Sequence, residues 1–453
     1  MTRRTLGAGA ALLVALTCAS PRADVPPAPD PQALAALWDR ERVSPPLPPL
    51  MDHAEVVRRV QALRRRAPDL FHVEEIGRSV EGRSLNYVRV GSGDRGVLLW
   101  SQMHGDEPTA TAALFDLFEY LRRHRDEEVP RRILSNLTLH VVPMLNPDGA
   151  ERFERRNAQG IDINRDALRL QTPEGRALKA LRDRLNPAVG FNLHNQNWRT
   201  SVGRPPQPAA ISLLSVAFDE AKSDSPGRRL TRQVCAVIRD ALEPLAAGRI
   251  GRYPDDFEVR AFGDNITRWG TPVVLIETGP WPGPNPDAAL VRLNFVALVA
   301  ALDALATGRV EQADPARYET LPLNEGRLFY LLVRGATVVN GAGIPPFVAD
   351  IGISATRRVR VAGGRRELVV PLTIEDLGDL RVNGALETID AEGLTVAPLF
   401  DRRLAPGAIV ALPDWRARPA RRRIAVGQRA DLVLLAPAGS GRYKVVRAIR
   451  GIG

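Results

Sequence analysis

The chain has 453 residues, enough for one large domain beside a smaller one, and its 44% apolar content leaves ample material for a core. Its net charge of +10 is almost all arginine, since lysine stands only at Lys179, Lys222 and Lys444. The arginines are interspersed with Asp and Glu, and the densest runs, Arg64-Arg65-Arg66 and Arg421-Arg422-Arg423, are short and far apart; this argues for solvated faces and against a nucleic-acid partner.

Residues 1–23 read as an export signal. Arg3 and Arg4 precede an apolar stretch from Leu6 to Ala19, and small residues follow at Ser20 to Ala23. The stretch is too short to span a bilayer, and no later run is expected to approach ~20 apolar residues. A soluble periplasmic or secreted product without a transmembrane segment is therefore expected. Cys18 offers a lipid anchor instead, but Ala15-Leu16-Thr17 before it is a poor attachment signal. If Cys18 leaves with the signal, Cys235 is the only thiol and no intramolecular disulfide can form.

Residues 24–53 are rich in Pro and Ala and read as a linker with one short helix around Pro31 to Arg42. Val56, Val57, Val60 and Leu63 recur with helical spacing before Pro68. Val73 to Gly77 and Ser84 to Val90 alternate like strands, with Gly77 to Gly82 as the turn region. Strand-like and helical runs then alternate: strands at Val97 to Gln102, Leu137 to Leu145, Val189 to Leu193 and Val273 to Ile276; helices at Ala110 to Arg123, Thr172 to Leu185, Arg228 to Leu245 and Ala288 to Ala306. This alternation predicts an α/β domain over 54–310, a sheet with helices on both faces. Beyond it, short β-type runs separated by Gly and Pro predict a separate all-β domain over 313–453, a sandwich or partial barrel.

Six histidines are present, and two of them directly follow predicted strands: His104 after Val97 to Gln102, and His194 after Val189 to Leu193. Ligand-binding residues of α/β sheets collect at such strand ends. Glu107 lies three residues after His104, within reach if the chain turns sharply at Gly105. Histidine nitrogen and carboxylate oxygen suit zinc, and a catalytic site keeps one position open for water. One His-x-x-Glu alone is weak evidence. His53, His72, His124 and His140 sit in less suggestive surroundings and read as surface or core residues.

More motifs follow in order: Asn146-Pro147-Asp148-Gly149 after a strand, Arg155-Arg156-Asn157 leading to Asn164-Arg165, then His194, then Ile276-Glu277-Thr278-Gly279 closing an apolar strand. With Gly77-Arg78-Ser79-Val80-Glu81-Gly82-Arg83 at the opening hairpin, the chain over about 54–305 resembles the zinc carboxypeptidases of the carboxypeptidase A family. That resemblance implies a mixed twisted sheet, hydrolase activity and one zinc ion held by His104, Glu107 and His194. It implies Glu277 as general base, Arg155 as the residue that stabilises the oxyanion, and Asn164 with Arg165 on the substrate's free carboxylate. It also implies a tyrosine that closes over the substrate; Tyr253 is the only tyrosine between His194 and Glu277, 24 positions before the latter. An ordinary packing role for Tyr253 stays open. Asp255, Asp256 and Glu258 cluster beside it, either as an acidic pocket or as solvated loop charges.

The implied partner is a peptide or peptide-like substrate with a free carboxylate. Relatives of this fold also remove acyl groups from amino acids or cleave the stem peptides of bacterial cell walls, so a zinc-dependent amidase or deacylase is the alternative. A non-catalytic binding protein would be expected to lack a ligand or the base, and none is lacking. In the last third, Leu331 to Gly341, Ala349 to Ile353 and Val426 to Leu434 resemble the paired end segments of metal-dependent amidohydrolases, whose small β-sandwich flanks a catalytic barrel. Too few residues separate them here for that barrel, and no histidine follows His194. A sandwich scaffold serving as an accessory module is the implied role.

Overall fold

The computed structural model describes residues 26–44, 50–283, 285–340, 344–363, 365–412 and 423–451. The expected export signal with Arg3, Arg4 and Cys18, the Pro45 to Pro49 run and Arg421-Arg422 lie outside them. Two helices come first, α1 (Pro31–Glu41) and α2 (His53–Arg66). Leu34, Ala35 and Trp38 of α1 are buried, and the Trp38 indole donates to Asp116 Oδ2 at 2.7 Å. The stretch expected as a linker is thus partly built into the main core: its apolar helix face outweighs the Pro-rich composition around it.

The first sheet contains β1 (Phe71–Arg78), β2 (Ser84–Val90), β3 (Arg95–Ser101), β4 (Leu137–Val142) and β5 (Val189–Asn195). A small hairpin, β6 (Ser201–Val202) and β7 (Gln207–Pro208), stands apart, and β8 (Ile211–Ser215), β9 (Ile250–Arg252) and β10 (Val273–Thr278) complete the sheet. The order is β1-β2-β4-β3-β5-β10-β8-β9, with β4, β3, β5 and β10 parallel to their neighbours in the middle. Strand β3 displays the period of two: Val97 and Leu99 enter one core, Leu98 and Trp100 the other. The first core is covered by α3 (Thr109–Arg123), α4 (Glu128–Asn136), α7 (Pro226–Ala246) and α9 (Pro286–Thr307). The second is covered by α6 (Pro173–Leu185) and α8 (Phe262–Arg268), while α5 (Pro147–Arg152) follows β4 directly. The α/β expectation is met, with helices on both faces.

Helix α9 corrects the expectation that no late run nears membrane-spanning length. It is 22 residues long and apolar enough to cross a membrane, but it is mostly buried among α1, α3, α4 and α7, which accounts for its composition. After it, α10 (Ala316–Glu319) puts Tyr318 into the first core, and Leu323 and Glu325 bridge to Arg252 and Ser201. The division between the two bodies therefore falls near residue 325, not at 310–313.

The second body is strand-rich: β11 (Leu328–Val338), β12 (Phe347–Ala355), the hairpin β13 (Arg358–Ala362) and β14 (Arg365–Val369), β15 (Leu372–Gly378), β16 (Gly384–Asp390), β17 (Thr395–Pro398), β18 (Ile409–Ala411), β19 (Leu432–Pro437) and β20 (Arg442–Ile449). Its main sheet runs β15-β12-β11-β17-β19-β20-β18, with β16 beside β11. A bulge between Val333 and Ala336, with Gly335 at φ +67°, separates the half of β11 that pairs with β16 from the half that pairs with β17. The far edge curls back: Ile374 donates its N–H to Gln428 O at 2.8 Å, and Ala430 to Leu372 O at 2.9 Å. One core, including Val333, Ile351, Ile374, Val396 and Leu432, fills the interior. The form is nearer a partial barrel than a two-layered sandwich.

Candidate metal centre

Three parallel strands, β3, β5 and β10, end together. The register of β5 and β10 sets His194 opposite Glu277, so both side chains leave the same face of the sheet. After β3 the chain turns at Gln102, whose φ is +51°. The Gln102 amide donates to Gly105 O at 3.0 Å and its oxygen accepts from Thr111 Oγ at 3.0 Å, which braces the loop. A Cβ on Gly105 would lie 2.0 Å from the Gly149 carbonyl carbon, so only glycine lets the loop pass α5. Glu107 N–H then bonds back to His104 O at 3.2 Å, closing the turn that brings the two side chains together.

His104 Nδ1 lies 2.8 Å from Glu107 Oε1, His194 Nδ1 lies 2.8 Å from Glu107 Oε2, and the two Nδ1 atoms are 3.1 Å apart. All three residues are buried, and one ligand atom of each falls within 4.8 Å of the others. Two imidazole nitrogens at that separation cannot both donate to one another, whereas a cation between them and the carboxylate satisfies all three. The donor set, two His and one carboxylate, is one that zinc takes in catalytic sites. His104 Nε2 is held by Asp162 Oδ1 at 3.2 Å, which leaves Nδ1 as the inward atom.

The electrostatics agree. Burial disfavours a charged His104, yet Glu107 and Asp162 reverse this and raise it to about 9. Burial likewise opposes ionisation of Glu107, but His104 and His194 hold its carboxyl well below the usual range. Glu277 moves the other way: burial first, then Glu107, push its carboxyl far above the ordinary value, and its buried Oε2 has no hydrogen-bond partner among the described residues.

Arg155 Nε donates to Asp162 Oδ2 at 2.9 Å, and its Nη1 lies 3.1 Å from His104 Nδ1 and 3.5 Å from Glu107 Oε1. Arg156 instead donates to Gly160 O at 3.1 Å, away from the cluster. Asn164 Oδ1 accepts from Phe262 N–H at 2.9 Å, and Arg165 Nε lies 3.4 Å from Glu258 Oε2. The phenol of Tyr253 is raised by burial and then by Glu277, with Arg165 and Arg155 opposing, which places its ring among the site's charges. Asp255 and Asp256 both pair with Lys222 at 2.9 and 3.0 Å, and Glu258 pairs with Arg260 at 2.9 Å, so these acids are engaged locally. His53, His124 and His140 bond Ser84, Glu41 with Glu127, and Tyr87 respectively, and His72 is exposed. Asp162 is the site residue that sequence reasoning passed over; its position two before Asn164, in a run already rich in site residues, was the available signal.

A cleft of about 390 Å³ opens on one side of the cluster. Glu107, Phe153, Arg155, Trp198, Trp281 and Asp287 line it, and Ala355, Thr356 and Arg357 reach it from the second body.

Residues 56–205 match the family model for zinc carboxypeptidases. This segment is a zinc carboxypeptidase domain. It includes His104, Glu107, Arg155, Asn164, Arg165 and His194, and ends before Tyr253 and Glu277. Carboxypeptidase 2 of Trichophyton rubrum is 26% identical over 211 residues, 44% of this chain and 36% of that protein. The carboxypeptidase N catalytic chain of Rattus norvegicus is 31% identical over 141 residues, 26% of this chain and 30% of that one. The chain spans about a third of the length of the curated relatives it matches. Among solved structures, a metallo-carboxypeptidase from Burkholderia cenocepacia is 20% identical, with a TM-score of 0.45 over 56% of this chain and 69% of that one. One from Pseudomonas aeruginosa is 21% identical, with a TM-score of 0.44 over 55% and 68%. Within the carboxypeptidase domain, two motifs meet physically: the buried Asp148 carboxylate accepts from Ser79 Oγ at 2.8 Å, Glu81 N–H at 3.0 Å and Arg83 at 2.6 Å. The hairpin turn and α5 are thereby locked together behind Gly105.

Proposed function

We propose that the chain is an exported metallocarboxypeptidase that hydrolyses the peptide bond next to a free carboxylate, using one zinc ion. The observation that carries this is the convergence of His104, Glu107 and His194 within 4.8 Å, with Glu277 in register beside His194. His104 and His194, through Nδ1, and Glu107 would hold the ion. Zinc supplies Lewis acidity that makes water a nucleophile at neutral pH and polarises a carbonyl. The unpartnered oxygen of Glu277 takes the proton from the attacking water and passes it to the leaving nitrogen. Arg155 donates to the carbonyl oxygen as negative charge builds on it. Asn164 has its oxygen occupied by Phe262 N–H, so its amide NH2 is the group that donates to the substrate carboxylate. Arg165, loosely paired with Glu258, supplies a fork suited to the same carboxylate, and Tyr253 closes against the bound end.

The test is zinc content together with release of C-terminal residues from peptides. Glu277→Gln is expected to keep its zinc and to lose about 10²–10⁴-fold in kcat. Undiminished turnover by that variant would rule the mechanism out. Export rests on the pattern of residues 1–23, and a mature N-terminus at Asp24 is the expected product.

A further inference from the structure

The second body touches the carboxypeptidase domain with the base and the tip of one hairpin, the base at the cleft and the tip at α5. Arg357, the residue before β13, pairs with Asp287 at 2.7 Å and stacks over the Trp198 ring at 4.6 Å. Asp287 lies in the first turn of α9, which follows β10, and Trp198 follows β5. Arg366, in β14, donates to Ala150 O at 2.7 Å and to Glu151 O at 3.2 Å, both in α5 after β4. In the sheet, β4 lies on one side of β3, while β5 and β10 lie on the other. The hairpin Arg358 to Val369 therefore runs from Trp198 and Asp287, which line the cleft, to α5, whose C-cap residue Phe153 also lines it. Its foot, Ala355 to Arg357, lines the cleft itself.

None of Asn164, Arg165 and Tyr253 lines this cleft. If they hold the terminal carboxylate, as in the function proposed above, the rest of the substrate on the amino side of the scissile bond must enter the cleft and meet the hairpin. The geometry points to a substrate-length limit: the β13–β14 hairpin is an arch that restricts the enzyme to short peptides, with only a few residues before the scissile bond. A space of about 390 Å³ is the size of a small-molecule site. Arg357 and Trp198 are the residues that the amino end of such a substrate meets.

The experiment is a series of peptides sharing one C-terminal residue and lengthened from two to eight residues at the amino end. It is read as kcat/KM on the wild type and as Kd on Glu277→Gln. The wild type is expected to lose about tenfold or more in kcat/KM once the peptide outgrows the cleft, with Kd weakening in step. Replacing residues 359–368 by a two-residue Asn-Gly turn keeps the Arg358–Val369 pair and removes the arch. That variant is expected to cleave the long peptides as well as the short ones. Arg366→Ala, which only unfastens the tip, is expected to move in the same direction and guards against misfolding of the shortened chain. Turnover by the wild type that is indifferent to length overturns the arch and leaves the carboxypeptidase reading standing. Length-limited binding without turnover overturns that reading and supports the arch. Absence of both overturns the two together.

Discussion

A buried carboxylate oxygen without a partner is costly to fold around, and Glu277 keeps one that has none among the described residues, beside a second acid, Glu107. Such a group is stable only if a proton or a cation answers it, which is why the surrounding residues matter as much as the three proposed ligands. Asp162 is the most connected of them: one oxygen holds His104 Nε2 and the Asn164 N–H, the other holds Arg155 Nε. It thus positions a proposed metal ligand, the proposed oxyanion donor and the proposed carboxylate grip at once. Asp162→Asn keeps the shape but replaces an acceptor by a donor facing His104 or Arg155. We expect zinc affinity to fall by about 10–100-fold, measured by competition with a chelator. Unchanged affinity would reduce Asp162 to a loop cap. Its place two residues before a recognised pair is the one mark it bears in the sequence, and the partner it orients is 58 positions away.

At the scale of elements, the strands and long helices around the site were legible because their apolar residues repeat at two or at three to four. His104 and His194 could be set at strand ends on that pattern alone. What was not legible was shorter or more distant. Strands β8 and β9 and helices α4, α5 and α8 are too brief to establish a period. Helix α1 could be read as a helix, but not as part of the core, since its anchor is a carboxylate on α3. Asp116 accepts from the Trp38 indole and from the backbone N–H groups of Val43 and Ser44, each within 2.8 Å. Removing Trp38 leaves both a void and an under-satisfied buried acid. Trp38→Ala is expected to cost about 3–5 kcal/mol by chemical denaturation. A loss below about 1 kcal/mol would restore the view of residues 24–53 as a mere connector.

The whole molecule is less divisible than its two sheets suggest. Arg357 lies more than 150 positions from His194, and nothing in its local sequence connects it to a cleft. The contacts between the bodies form a continuous belt: Trp198 against Tyr330 with ring centroids 5.6 Å apart, Arg199 with Glu375 at 2.5 Å, and Leu328 N–H on Arg199 O at 3.1 Å. Arg357 closes the belt at Asp287 and Trp198. Because backbone hydrogen bonds, an edge-on ring pair and ion pairs all cross the boundary, neither body should unfold while the other persists. Calorimetry of the full chain is expected to give a single transition. Arg357→Ala tests the belt at its tightest point: Asp287 is almost wholly buried and would lose its only charged partner among the described residues. Breaking such a pair ordinarily costs about 3–5 kcal/mol, and the low end applies here because Asp287 also faces the N-terminal dipole of α9. The variant should unfold earlier and, with the belt opened, in two steps. Two transitions already present in the wild type would mean that the second body is only tethered to the carboxypeptidase domain.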